Sequence, residues 1–266
     1  MAGCGGAEPD GARGTRVVAA FYPLAFAAER IAGPGTEVTD ATPPGAEPHD
    51  VELSARDVER IRSADLVLYL GGGFQPALER ALDGADGRSV DLLEGVELRD
   101  EGDPHVWLDP LRYAAIVERI GLELDEEDRA AALAAELQEL HAEYEAGLGD
   151  CARRELVTSH AAFGYLADRY DLEQVALTGL SPEAEPSARE LERVVEEVRA
   201  SGATTVFSET LVSPRLAETV ARETGARTAV LNPLEGLTRE ELDRGEDYFS
   251  VMRANLQALR AGLGCR

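Results

Sequence analysis

The feature that most narrows the fold is an alternation, made twice along the chain, of short apolar runs with amphipathic stretches of helical period. That order is the signature of βα units and mostly parallel sheets. Residues 17–22 read as a strand, 24–32 as a helix and 37–42 as a strand, and 54–63 read as a helix opened by Ser54 and Asp57 as a capping pair. Residues 66–70 form a further buried strand. Gly71, Gly72 and Gly73 then make a tight turn into a helix over 75–82. The turn lacks the Lys-Ser/Thr of a P-loop and the spacing of a dinucleotide fingerprint, so it is read as a packing device.

A helix over 113–122 precedes a longer one over 126–147, in which Leu133, Leu137, Leu140 and Tyr144 recur at helical spacing. Beyond it the alternation resumes, with strands at 156–158, 174–177, 204–207 and 228–231. Helices separate these strands: one capped by Ser187 with Glu190 three residues on, one started by Pro214 and ended at Gly225, and a last one over 248–261. The expected fold is therefore α/β, with two (β/α) lobes of mostly parallel sheet joined by one long, rigid linking helix. The divisions are a tail over 1–14, a first lobe over 15–123, the linking helix over 124–149 and a second lobe over 150–266. A single helix is a stiff connector compared with a Gly/Ser linker, so only small relative motions of the lobes are expected.

Three of the four histidines lie in distinctive loop settings near strand ends: His49 in GAEPHD, His105 in DPHVWLDP and His160 in TSHAAFGYL. In such sheets ligands bind outside the carboxyl ends of the strands, so these rings converge on the cleft between the lobes. Neutral imidazole is the commonest zinc ligand, and three convergent ones read as a metal site. The alternative is that each caps a turn or helix independently. The fourth, His141, lies on the linking helix beside acidic residues and is assigned to its solvated face.

Three neutral imidazoles leave a divalent charge uncompensated in a partly dry cleft, which favours a carboxylate as fourth ligand. Glu209, ending the strand of VFSET, and Glu235, in LNPLEGL, both stand on the correct rim of the second lobe. Glu209 also reads as a helix-entry or ring-orienting carboxylate. Asp50 and Asp109, adjacent to the ligand loops, are read as groups that orient an imidazole by accepting its outer N–H.

A formal net charge of -25, from 26 basic against 51 acidic residues, argues against nucleic acid as a partner, because phosphate binding needs clustered Lys and Arg. No apolar run reaches the length of about 18 residues that a membrane span requires. At the N-terminus, Met1-Ala2-Gly3-Cys4 resembles the tail of a bacterial lipoprotein signal, with Cys4 as the lipid-bearing residue. Cys151 opens the second lobe and Cys265 nearly closes the chain, so a bridge would tie the C-terminal helix to the start of that lobe in an oxidising compartment. Two separate buried thiols are the alternative.

The runs FYPLAFAAERIAG, TPPGAEPHDVELSARDVERIRSADLVLYLGGGFQPAL, DPHVWLDP, TSHAAFGYLADRY, LSPEAEPSARELERVVE, FSETLVSPRLAETVARETGA and LNPLEGL together closely resemble the zinc-binding subgroup of the cluster A-I solute-binding proteins that serve metal ABC transporters. The resemblance covers residues 17–263. It implies an extracytoplasmic receptor, in the periplasm or on the outer face of the membrane, lipid-anchored and monomeric, that holds Zn2+ through His49, His105 and His160 and delivers it to a membrane permease. In manganese-type members the position of His160 is typically a carboxylate, so Mn2+ is the lesser expectation. Many relatives carry Asp where this chain has Asn232. Among those whose loop reads LNPLE the Glu fills the fourth position, which points to Glu235, with Glu209, Asp50, Asp109 and Asn232 as supporting or alternative groups and water as a further possibility. The long His-rich loop of some members is absent, with only ELRDEGDP before His105.

Two other classes stay in view. A zinc hydrolase or lyase could use three histidines and a water, but no His-Glu-x-x-His helix occurs and the sequence offers no further histidine to shuttle protons. A surface adhesin with a structural metal could share this fold.

Overall fold

A computed structural model describes residues 14–99, 102–182 and 186–266. Cys4 lies outside the described residues.

The first lobe is built on β1 (Arg16–Ala19), β2 (Glu37–Asp40), β3 (Leu66–Tyr69) and β4 (Arg88–Asp91), all parallel in the order β2-β1-β3-β4. Its crossovers carry α1 (Tyr22–Ile31), α2 (Ala55–Arg62) and α3 (Pro76–Ala81). Val17, Val18, Leu66, Val67 and Leu68 are buried, as expected for central parallel strands covered on both faces. Ser54 and Asp57 form a complete capping box at the head of α2. Gly72 and Gly73 have φ of 79° and 86°, a region that side chains disfavour, which explains the glycine turn before α3.

From the buried Asp109, α4 (Pro110–Leu124) leads into α5 (Glu127–Leu148), the linking helix. At a rise of about 1.5 Å per residue it is roughly 33 Å long. Its buried face carries Ala130, Leu133, Ala134, Leu137, Leu140, Tyr144 and Leu148, and it packs on α4, α1 and the last helix. A Cβ on Gly121 of α4 would stand 2.4 Å from that of Ala130, so glycine permits the close approach of α4 and α5.

The second lobe repeats the topology with β5 (Glu155–Thr158), β6 (Glu173–Ala176), β7 (Thr205–Ser208) and β8 (Arg227–Val230) in the parallel order β6-β5-β7-β8. Its helices are α6 (Gly164–Arg169), α7 (Ala188–Ser201), α8 (Arg215–Thr224), α9 (Arg239–Asp243) and α10 (Tyr248–Leu263). Pro214 is the N-cap of α8, one position before the helix. A disulfide joins Cys151 to Cys265, tying the end of α10 to the entry of the lobe.

Three elements lie outside the sequence reading. Strand β4 is a polar edge strand, Arg-Ser-Val-Asp, without an apolar run to announce it. Helices α6 and α9 have six and five residues, too short to display a helical period. His141 also differs from expectation. Its ring stacks on Tyr170 at 5.7 Å and Nδ1 lies 3.2 Å from the Tyr170 hydroxyl, so it is half-buried against the second lobe.

The lobes do not have wholly separate cores. One hydrophobic cluster runs from β1 and β3 through α4 and α5 to Leu231, Leu234, Leu237 and α10, and a smaller one fills the space under α7 and α8. Trp107 Nε1 donates to the Pro233 carbonyl at 2.8 Å, and the Tyr248 hydroxyl donates to the Trp107 carbonyl at 2.6 Å. These cross-lobe bonds hold the ligand loops of both halves against each other.

Candidate metal centre

His49 follows β2, and its backbone N–H donates to Glu47 Oε1 at 3.2 Å. His105 heads a short 3-10 turn over Val106–Leu108, and its N–H donates to Asp103 Oδ1 at 3.1 Å. His160 stands two residues past β5, beside the position where the strand order of the second sheet reverses. Its carbonyl accepts from Thr158 Oγ1 at 2.7 Å and Gln174 Nε2 at 3.1 Å, which fixes the turn that aims the ring.

Glu235 is presented by the loop after β8. The Asn232 N–H donates to Asn255 Oδ1 at 2.9 Å, and Asn255 Nδ2 donates to the Asn232 carbonyl at 2.7 Å. Asn232 Oδ1 accepts from the Leu234 N–H at 2.8 Å, and Leu234 adopts φ of 57°. A left-handed leucine costs on the order of 1–3 kcal/mol and persists where its surroundings over-determine it. Burial of Leu234 and the Asn232–Asn255 clamp supply that determination.

The four side chains meet. One ligand atom from each of His49, His105, His160 and Glu235 lies within 4.8 Å of all the others. Glu235 Oε1 is 3.1 Å from His105 Nε2, 3.0 Å from His160 Nε2 and 3.4 Å from His49 Nε2, the last without hydrogen-bond geometry. His105, His160 and Glu235 are fully buried, and the His49 side chain is 9% exposed. Phe74 packs edge-on against His49 at 4.7 Å and Trp107 lies 5.1 Å from His105, giving the cluster an apolar wall.

The outer nitrogens are held by carboxylates. His105 Nδ1 lies 2.9 Å from Asp103 Oδ1, and His160 Nδ1 lies 2.6 Å from Glu209 Oε1. Each carboxylate fixes the tautomer with its proton on Nδ1, leaving Nε2 to point inward as a donor to a metal. Glu209 thus stands behind His160, and Glu235 faces all three rings.

Two sequence expectations are corrected. Asp109 does not orient an imidazole: its oxygens accept from the Leu111 N–H and from the guanidinium groups of Arg112 and Arg169. Asp50 is exposed, and among the described residues no hydrogen bond joins it to a ring. Asn232 is engaged in its own loop rather than with the cluster. Asp103 and Glu47 were not singled out from sequence, although an acid two residues before a ligand histidine, D-x-H and E-x-H, was available as a signal.

The electrostatics agree with the geometry. Burial by itself would lower the pKa of His160, but the charge of Glu235 and hydrogen bonds to Glu209 and Glu235 outweigh it and raise the pKa to about 10. Burial likewise opposes protonation of His105, and the bonds to Asp103 and Glu235 raise its pKa. Burial would raise Glu235, yet the His160 charge and the bonds from the imidazoles hold it well below the usual carboxylate range. The metal-free site therefore gathers protons where a cation would sit. Buried oxygens of Glu47, Glu209 and Glu235, together with His49 Nε2, have no hydrogen-bond partner, and this donor set fits a small divalent ion.

The chain matches known proteins over both lobes. The sequence model of the family described as zinc-uptake complex component A, periplasmic (ZnuA), matches residues 17–262. The zinc-binding lipoprotein AdcA of Streptococcus pneumoniae is 38% identical over 274 residues, covering 92% of this chain and 55% of its own length. This chain thus spans about half the length of the streptococcal AdcA relatives it matches. The high-affinity zinc uptake system protein ZnuA of Bacillus subtilis is 32% identical over 298 residues, covering 99% of this chain and 93% of that protein. Among solved structures, the Zn(II)-bound ZnuA-like domain of S. pneumoniae AdcA aligns with a TM-score of 0.82 at 38% identity, over 94% of this chain and 99% of that one. The laminin-binding protein Lmb of Streptococcus agalactiae, described as bifunctional with adhesin and metal transporting activity, aligns with a TM-score of 0.86 at 29% identity, over 94% of this chain and 100% of that one. Matched from the first strand to the last helix, the chain belongs to the ZnuA family of periplasmic zinc-uptake components.

Proposed function

We propose that this protein is an extracytoplasmic receptor that captures Zn2+ between its lobes, through His49, His105, His160 and Glu235, and hands it to the membrane permease of an ABC transporter. The observation that carries the reading is the convergence of three imidazole nitrogens and one carboxylate within 4.8 Å of one another in a buried cleft. Three nitrogen donors and one carboxylate suit zinc better than manganese, which prefers oxygen. The zinc-binding names of its relatives point the same way.

Capture rather than catalysis is supported by the fourth protein donor and by the burial of the site, because catalytic zinc usually keeps an open position for water and substrate. Delivery requires a partner that binds the two lobes in a geometry where the donors no longer converge, since only differential affinity between states releases a tightly held ion. The proposed cellular setting is a monomer outside the cytoplasmic membrane, anchored through a lipid on Cys4. Among the described residues no specific observation favours an adhesive role.

The test is metal analysis of protein purified without added metal, paired with zinc titration of His160→Ala. About one zinc per chain is expected. If binding at such a site is worth about 10–16 kcal/mol, one ligand in four carries roughly 3–4 kcal/mol, so the variant should bind at least about a hundredfold more weakly. Equal affinity in wild type and variant would overturn the assignment.

A further inference from the structure

Asp103, the acid behind His105, is itself held by groups of the opposite lobe. Its side chain is buried, with Oδ1 committed to the His105 backbone N–H at 3.1 Å and to ring Nδ1 at 2.9 Å. Its other oxygen, Oδ2, faces the guanidinium of Arg99, with Nη1 at 3.6 Å. The same guanidinium grips Asp168 on α6, where Nη2 donates to Oδ1 at 3.2 Å and Nε donates to Oδ2. A second tie runs beside the first. The Tyr165 hydroxyl, also from α6, accepts from the backbone N–H of Arg99 at 3.1 Å and donates to the Asp103 carbonyl at 3.0 Å.

Gly164, at the start of the same helix, explains why the guanidinium fits there. Its φ of -59° and ψ of -45° are ordinary helical values that any residue adopts, and a helix prefers alanine to glycine. Backbone freedom therefore does not account for it, and space does. A Cβ on Gly164 would stand 2.1 Å from Arg99 Nη1 and 3.3 Å from Asp103 Oδ2. His160 lies four residues earlier on the turn that leads into α6, so the segment that aims the second-lobe ring also forms the seat of Arg99. A buried carboxylate is costly to hold without a compensating charge. Once His105 binds a metal its ring is neutral, and Arg99 is then the cation, among the described residues, that forms an ion pair with Asp103.

We propose that Arg99 is a positioning residue of the metal centre: seated on Gly164, it fixes Asp103 and through it the His105 ring, so that a first-lobe ligand is aligned only while the second lobe is in place. The proposal rests on the reading of the cluster as a zinc centre. Gly164, Tyr165 and Asp168 all travel with α6, so separation of the lobes withdraws the support of Asp103 as it draws His160 away. One movement removes one ligand and loosens another, which lowers the affinity of the open state further than the loss of His160 alone.

The experiment is proton NMR of the zinc-loaded protein, with zinc competition run alongside. Two ring protons serve as probes, that on His105 Nδ1 held by Asp103 and that on His160 Nδ1 held by Glu209, each followed by its rate of exchange with solvent. Wild type is compared with Arg99→Met, Arg99→Lys and Gly164→Ala, the last of which displaces the flexible end of Arg99 and suits a helix. In Arg99→Met and Gly164→Ala the His105 proton should exchange severalfold faster, the His160 proton should keep its rate, and zinc affinity should fall by roughly tenfold. Arg99→Lys, which keeps the charge but cannot span both carboxylates, should fall between these and wild type. Equal acceleration of both protons would overturn the proposal, marking Arg99 as a general structural contact. Unchanged exchange at His105 in Gly164→Ala would overturn it as well. A wild type that binds no zinc would overturn the receptor reading itself.

Discussion

The buried carboxylate of Asp109, at the head of α4 in the first lobe, is clasped by the guanidinium of Arg169, at the end of α6 in the second, with Arg169 Nε 3.0 Å from both oxygens and Nη2 2.8 Å from Oδ2. Arg112 adds a bond to the same carboxylate at 2.7 Å. The contact ties the element that follows His105 to the element that follows His160, and so sets the distance between two rings of the cluster.

Arg169→Met should therefore loosen the closed arrangement. Charged hydrogen bonds of this kind are worth about 1.5–3 kcal/mol, and Arg112 remains to compensate the carboxylate, so a loss near the lower end is expected. Thermal unfolding of the metal-free protein measures the loss, and chelator competition should register faster zinc release. An unchanged release rate would separate the clasp from lobe closure.

Glu209→Gln removes the charge behind His160 while preserving its size. Groups that hold the outer nitrogen of a ligand histidine typically contribute 10- to 100-fold to metal affinity, and a loss of roughly that size is expected with stoichiometry retained. Loss of stoichiometry would instead make Glu209 a ligand.

Asn255→Ala removes both bonds that clamp the backbone of Asn232. Because the clamp supports the left-handed Leu234 that presents Glu235, zinc affinity should fall by roughly tenfold although residue 255 touches no ligand. Titration of folded variant protein, verified by circular dichroism, provides the check.

The pH dependence has a definite sign. His160 is raised to about 10 in the folded metal-free protein, from about 6.5 when unfolded, so its stabilising contribution is complete below about 6.5 and is lost as pH rises toward 10. Glu235 is depressed, so its contribution is present above about 4.5 and is lost as pH falls through its folded value. Burial raises Glu47 to about 9 and Asp40 to about 7, and their contributions are lost as pH rises from about 4 to those values. Metal-free protein should therefore be most stable at about pH 4.5 and weaken steadily above it. Zinc binding near neutral pH should release protons, which calorimetry in buffers of different ionisation enthalpy detects. Binding without proton release would contradict the protonated cluster.

Cys151 and Cys265 are 114 residues apart in sequence. Closing so long a loop in the unfolded chain stabilises the fold by about 2–4 kcal/mol in typical cases, so a Cys151→Ser/Cys265→Ser variant should unfold earlier by that amount in denaturant. The bridge lies away from the ligand loops, and zinc affinity should be unchanged.

Part of this molecule was legible before its structure. His160 declares itself by its position two residues past β5, whereas His49 and His105 lie nine and fourteen residues beyond β2 and β4 rather than at strand ends. The buried strands and long helices declare themselves by period. Strand β4 did not, because an edge strand of Arg, Ser, Val and Asp takes its identity from pairing with β3. The motif DPHVWLDP carries aspartates on both sides of His105, Asp103 and Asp109, and the sequence expectation of a ring-orienting group falls on Asp109. The 3-10 turn over Val106–Leu108 decides between them: it carries Asp109 away to cap α4 and leaves Asp103 beside the ring.

From the order of its residues alone, the chain specified two parallel α/β lobes, a helical strut and the imidazoles that face the cleft, because hydrophobic period and loop motif are local properties. Which carboxylate meets those imidazoles was decided only in three dimensions. Glu209 and Glu235 stand on the same rim, and their separation into a supporting and a facing group depends on bonds between distant segments: Asn232 with Asn255, 23 residues apart, and Trp107 with Pro233, 126 apart. Convergence within a few ångströms is a property of packed loops, and no periodicity in the sequence encodes it.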